Sequence, residues 1–193
     1  MSATALAHDD AARREEVTRL GLWMFLATVT MLFAAFTSAY IVRRSGSDWS
    51  RISLPSVLWL NTALLAASSG ALEVGARAGA RGRWWPAHVG FGLAIALGIA
   101  FVGGQFAAWQ DLQRAGVYLP ASPHSSFFYM MTGAHAAHIV AALAVLTWGA
   151  ARTWRGDGQR DRRSWMAGIG LCRTFWHFLL GVWVYLFVFI SVY

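Results

Sequence analysis

A run of 26 residues, Ser125–Ala150 (SSFFYMMTGAHAAHIVAALAVLTWGA), contains no Asp, Glu, Lys or Arg. A helix of about 20 apolar residues is enough to cross the hydrocarbon of a bilayer, so this run can span one. Near its middle sit two histidines, His135 and His138, framed by Thr132, Gly133 and Ala134. At a spacing of i, i+3 they share one helix face. Ionisable side chains at mid-membrane turn toward protein or a cavity rather than lipid. The helix therefore needs neighbours.

Four more apolar runs supply them. Span 1 covers 20–42 and ends at Arg43 and Arg44; span 2 covers 54–76, with Pro55 placed in the first turn. Span 3 covers 84–109, with Pro86 near its start and glycines at 90, 92, 98, 103 and 104. Pro120 and Pro123 mark the loop before span 4, the run at 125–150. Span 5 covers 170–193, with a start as early as Trp165 left open. The predicted fold is all-α: a polytopic membrane protein, a bundle of five transmembrane helices. Residues 1–19 form a polar segment of mixed charge, and 20–193 a single membrane domain. No signal-peptide cleavage pattern closes the first apolar run.

Composition agrees with this reading. Hydrophobic residues make up 57% of the chain and charged ones 13%, against about 25% charged in soluble domains. The single cysteine, Cys172, excludes a disulfide framework or a cysteine-rich metal site within this chain. The net charge of +7 comes from 16 arginines and no lysine. They lie in short clusters between apolar runs, a mark of membrane topology rather than of a nucleic-acid surface. Arg13, Arg14 and Arg19, then Arg77, Arg81 and Arg83, then Arg152, Arg155, Arg160, Arg162 and Arg163 fall on one side. Arg43, Arg44, Arg51 and Arg114 fall on the other. The positive-inside rule then puts the N-terminus in the cytoplasm and the C-terminus outside. Trp49, Trp59, Trp84, Trp85, Trp109, Trp148, Trp154 and Trp165 cluster near the span ends, where interfacial anchors belong.

Few membrane residues are able to carry chemistry. Glu73 in span 2 and Arg173 in span 5 lie at similar depth with opposite sign, so they either pair or snorkel separately to the headgroups. His135, His138 and His177 are open to three readings: hydrogen-bonded structural groups between helices, metal or haem ligands, or a proton relay. The structural reading is preferred, because a ligand pair on one helix needs further ligands from other spans. Ala63, Ala67, Ala71 and Gly75 recur every four residues in span 2, a small-residue stripe that lets another helix approach. Gly133, beside the histidines, adds a further small packing position. The aromatic residues of span 5, among them Trp176, Trp183 and Tyr193, fall all around the helix and suit packing.

The order of motifs resembles subunit III of the haem–copper oxidase superfamily. Span 1 carries the family's Gly-Xaa-Trp-Xaa-Phe-Leu opening and Tyr–Arg close (Gly21, Trp23, Phe25, Leu26, Phe33, Tyr40, Arg43). Span 2 carries Asn-Thr and paired serines (Asn61, Thr62, Ser68, Ser69). Span 4 has TGAHAAHI, close to Thr-Gly-Xaa-His-Xaa-Xaa-His. Span 5 has Trp-His-Phe (Trp176, His177, Phe178) followed by Val-Trp. Five spans are similar to the shorter bacterial form of cytochrome c oxidase subunit 3. The resemblance implies an accessory subunit with no redox centre of its own, in the bacterial inner membrane. It implies haem and copper in a partner catalytic subunit I, contacts with subunit II, bound phospholipid, and support of electron transport coupled to proton pumping. Carboxylates common in the family are replaced by Thr28-Val29, Ala107-Ala108 and Leu179-Leu180. A quinol oxidase or nitric oxide reductase component of the same fold remains an alternative. A stand-alone haem b or metal-binding membrane protein is the alternative of another class, and a transporter is disfavoured by the lack of inverted repeats.

Overall fold

The computed structural model describes residues 3–47, 49 and 54–192, with the side chains of 3–12, 14 and 15 left aside. Arg51, Tyr193 and the side chain of Arg14 thus lie outside the described residues. Among the described residues there are six helices: α1 (Ala3–Arg43), α2 (Val57–Ala80), α3 (Trp84–Arg114), α4 (Pro123–Trp154), the single turn α5 (Asp157–Arg160) and α6 (Arg162–Val192). Among the described residues there is no strand. All but α5 are long and apolar enough to cross a membrane.

The helices overrun the apolar windows read from sequence, mostly at the arginine-rich end. α6 begins at Arg162 rather than near 170, and the polar N-terminal stretch continues into span 1 as one helix. Arginine and alanine are good helix formers, so a helix need not stop where its apolar stretch does. Pro55 lies just outside α2, in the turn whose carbonyl accepts from the Leu58 N–H at 3.2 Å. Pro123 opens α4 behind Ser122, whose hydroxyl accepts from the Ser125 N–H at 3.1 Å while the Ser122 N–H donates to Ser125 Oγ at 3.0 Å. That reciprocal pair is a capping box, with the proline at a position where its missing N–H costs nothing.

α2 and α3 form the tightest pair in the bundle. The link between them is Arg81–Arg83, with Gly82 at φ +76° and the Arg83 N–H bonded to the Ala78 carbonyl at 2.9 Å. Glycine adopts that left-handed conformation without steric cost, which lets the chain reverse in three residues. Further along, Gly75 and Gly90 meet backbone to backbone. A Cβ on Gly90 would lie 2.6 Å from the Gly75 Cα and 2.9 Å from the Ala71 carbonyl oxygen.

α1 attaches differently. It buries one stripe, Leu26, Val29, Phe33, Thr37 and Tyr40, spaced by three and four residues, against α4 and α6. The core of the bundle is shared by α2, α3, α4 and α6, with Trp176, Trp183, Phe91, Phe101 and Phe128 as its largest enclosed side chains.

Candidate functional site

Polar side chains join the helices in two ways. Toward the arginine-rich end, α2 presents Ser69, Glu73 and Arg77 at intervals of four, and α6 presents Arg173 and His177 at the same interval. Helical residues four apart are neighbours on one face, so the two rows confront each other. Glu73 collects them. Arg77 Nε donates to its Oε1 at 2.7 Å; His177 Nε2 and Arg173 Nε reach its Oε2 at 3.2 and 3.4 Å. On the other side of the imidazole, His177 Nδ1 meets Ser69 Oγ in a close contact. One tautomer satisfies all of it: Nε2–H donates to the carboxylate, and Nδ1 accepts the serine proton. Ser69 is only 3% exposed, so its hydroxyl closes a hydrogen-bond chain and has no room to attack a substrate. The side chains of Arg77 and Arg173 are 66% and 41% exposed, which leaves them in reach of headgroups and water.

The second way is a set of neutral rungs spread along the bundle. Trp183 Nε1 on α6 donates to Thr62 Oγ1 on α2 at 3.0 Å, and Tyr185 OH on α6 reaches Thr37 Oγ1 on α1 at 3.0 Å. Trp109 Nε1 on α3 donates to Thr132 Oγ1 on α4 at 3.1 Å, and Trp165 Nε1 on α6 to Thr153 Oγ1 on α4 at 2.7 Å. In every case the threonine proton goes to the carbonyl four residues back in its own helix: Leu58, Phe33, Phe128 and Gly149. Threonine thereby satisfies its hydroxyl locally and offers a lone pair to the next helix.

The histidines of α4 occupy this interior differently from expectation. His135 is fully buried, and neither ring nitrogen has a hydrogen-bond partner. It packs among the rings of Trp183, Phe101 and Phe33 at 5.4, 6.1 and 6.3 Å. His138 bonds its own helix, Nδ1 donating to the Ala134 carbonyl at 2.7 Å, and touches Phe33 and Phe25 of α1. The expectation that these two hydrogen-bond to neighbouring helices is corrected: in this bundle His177 does so. Aromatic side chains from α1, α3 and α6 surround the His135 ring, so no polar side chain of another helix reaches its nitrogens.

The remaining positions divide. Ala71 and Gly75 lie against α3, while Ala63 and Ala67 are exposed. A Cβ on Gly133 would meet nothing within 4 Å. Trp176 is buried against Gly98, with its Nε1 unpartnered. Trp165, placed at a span boundary by sequence, turns inward rather than to the interface, because Thr153 takes its N–H. No group of three or more His, Cys, Asp or Glu able to hold a metal occurs among the described residues. His177 has both nitrogens engaged, His138 has one engaged with its own backbone, and His135 is enclosed by rings.

The threonine rungs were not evident from sequence. Thr62 and Thr132 stood out only as parts of motifs, and pairing them with Trp183 and Trp109 requires the rotation of each helix.

The chain is 26% identical over 203 residues to cytochrome c oxidase subunit 3 of Thermostichus vulcanus, covering 98% of this chain and 94% of that protein. It is 31% identical over 190 residues to cytochrome bo(3) ubiquinol oxidase subunit 3 of Pseudomonas aeruginosa, covering 93% and 87%. With cytochrome c oxidase subunit 3 of Corynebacterium diphtheriae it shares 28% identity over 187 residues, covering 92% and 89%. The family described as cytochrome c oxidase subunit III matches residues 2–193, and the chain belongs to that family, an accessory subunit III of a haem–copper oxidase.

Proposed function

We propose that this chain is the non-redox subunit III of a respiratory terminal oxidase of the cytochrome c type, seated in a bacterial cytoplasmic membrane against catalytic subunit I, with subunit II in the same complex. The single observation that carries the reading is a family match spanning residues 2–193. Haem and copper belong to the catalytic partner, and this chain stabilises that partner and supports electron transport coupled to proton pumping. The arginine distribution supports a cytoplasmic N-terminus, with residues 1–19 on that side, and an outer C-terminus. Residues 20–193 then act as one membrane domain. Glu73, Arg173, His177, His135, His138 and Trp176 hold helices together in this reading. Ala71 and Gly75 seat α3, and the outward-facing Ala63, Ala67 and Gly133 are assigned to neighbouring subunits or lipid.

Bound phospholipid is part of the proposal. Between α1 and α6 lies an open cavity of about 610 Å³ whose lining includes Arg19, Arg173, Glu16, Leu22, Trp23 and Leu171. Two guanidinium groups against one carboxylate, beside apolar walls, suit a phosphate with acyl chains along those walls.

The test is a gentle purification through a tag on this chain. A haem–copper catalytic subunit should co-purify, and the chain separated from it should show no haem absorbance. A Soret band on the isolated chain would overturn the reading. A quinol donor is the second reading, favoured by the similarity to the ubiquinol oxidase subunit. Oxygen uptake by the purified complex with reduced cytochrome c against a quinol separates the two.

A further inference from the structure

Besides the Trp176 indole, three polar side chains in the interior between α2, α3, α4 and α6 are used by neither the Glu73 cluster nor the rungs. Asn61 on α2 and Gln105 on α3 are 0% and 1% exposed, and no atom of either carboxamide has a hydrogen-bond partner. His135 on α4 is equally buried and equally unpartnered.

They lie in one layer. The Asn61 carboxamide rests against Gly104, the residue before Gln105, and a side chain there would displace it. Thr62, next to Asn61, accepts from Trp183, whose ring centre is 5.4 Å from that of His135. Phe101, one turn before Gln105, lies 5.0 Å from Trp183 and 6.1 Å from His135. One turn after Gln105, Trp109 bonds Thr132, three residues before His135.

Two carboxamides and a neutral imidazole together offer five N–H donors and three acceptors. A buried polar group without a partner carries its whole desolvation penalty, and in hydrocarbon no bulk solvent is near to relieve it. Leucine or phenylalanine would fill these positions at lower cost. Polar groups enclosed in this way are the usual hosts of buried water, which makes about three hydrogen bonds to its surroundings. One level toward the arginine-rich end the situation is different: Ser68 Oγ donates to the Ala94 carbonyl at 2.7 Å and is satisfied by protein alone.

We propose that Asn61, Gln105 and His135 hold ordered water in a closed site between α2, α3 and α4, so that the bundle has a hydrated layer inside its membrane-spanning core. The site is built into the chain itself and does not depend on which oxidase the chain serves.

Radiolytic hydroxyl-radical labelling of the purified assembly, read by mass spectrometry, tests this. Radicals formed from a bound water oxidise the side chains beside it even when these are closed to bulk solvent. Phe91 and Phe101 make a matched pair, both on α3 and both fully buried. Phe91 is only seven residues from the start of α3 at Trp84, so bulk water lies nearer to it than to Phe101. Bound water predicts several-fold faster oxidation of Phe101 and His135 than of Phe91. Equal rates, or faster oxidation of Phe91, would overturn the site. In the double variant Asn61→Leu/Gln105→Met the excess at Phe101 should disappear; an excess that persists would also overturn it. Where that variant fails to assemble, the wild-type comparison of the two phenylalanines decides alone.

Discussion

The Glu73 cluster and the threonine rungs solve the same problem, joining helices by polar groups within a membrane, in opposite ways. At the first, a carboxylate is surrounded by two arginines and a histidine, and the charges remain half open to their surroundings. At the second, neutral indole and phenol groups donate to neutral hydroxyls, of which those of Thr37, Thr132 and Thr153 are buried. The difference follows from enclosure, not depth: the Trp165–Thr153 rung lies nearer the arginine-rich ends of α4 and α6 than Arg173 does. Where a charge stays half open it keeps part of its hydration, so a loose cluster is tolerated and each pair adds little. Where the bundle encloses the groups, an ion costs several kcal/mol to bury, and only uncharged partners hold helices without a large desolvation penalty.

Placing a charge at an enclosed position should break the comparison most strongly. His135→Asp puts a carboxylate among Phe33, Phe101 and Trp183 with no cation facing it. A loss of about 2.5–3.5 kcal/mol is expected from the cost of a charge at mid-helix, seen as failure of the chain to accumulate in membranes. Gly90→Val should come next, since its side chain would strike the Gly75 backbone; overpacking of that kind costs about 1–3 kcal/mol. Its readout is a lower thermal midpoint of the solubilised complex, with Gly92→Val, where nothing lies within 4 Å, as the control.

Smaller effects sharpen the contrast. Thr62→Val removes the acceptor of the Trp183 indole and should cost about 0.6–1.7 kcal/mol, the range of polar contacts between membrane helices. Combined with Trp183→Phe in a double-mutant cycle, the coupling should stay unchanged in high salt. The Glu73→Gln/Arg173→Gln cycle should give a coupling of about 1 kcal/mol or less that shrinks as salt is raised. Additive losses at Glu73 and Arg173 would mean that the two do not act as a pair.

Much of this architecture is legible in the sequence, because length and apolarity alone decide that a segment spans a membrane. The similar depth of Glu73 and Arg173 also follows from counting residues in from the span ends. What the sequence conceals is helix rotation. A repeat of four residues advances about 400° in a helix of 3.6 residues per turn, so a stripe drifts roughly 40° per step. Across the three steps from Ala63 to Gly75 the drift is about 120°, enough to carry one end of the stripe from solvent or lipid to the α3 interface. The enclosure of His135 by rings was hidden for the same reason. Its neighbours Phe33, Phe101 and Trp183 come from three other helices, each with its own rotation.

The back-bonded threonines have a last consequence. Each has given away its one proton, so it can only receive, and the group across from it can only be a giver. A sliding of one helix past its neighbour would leave an indole opposite a methyl group, with nothing to correct the mismatch. Four such one-way latches, on Thr37, Thr62, Thr132 and Thr153, admit a single alignment of the helices they join.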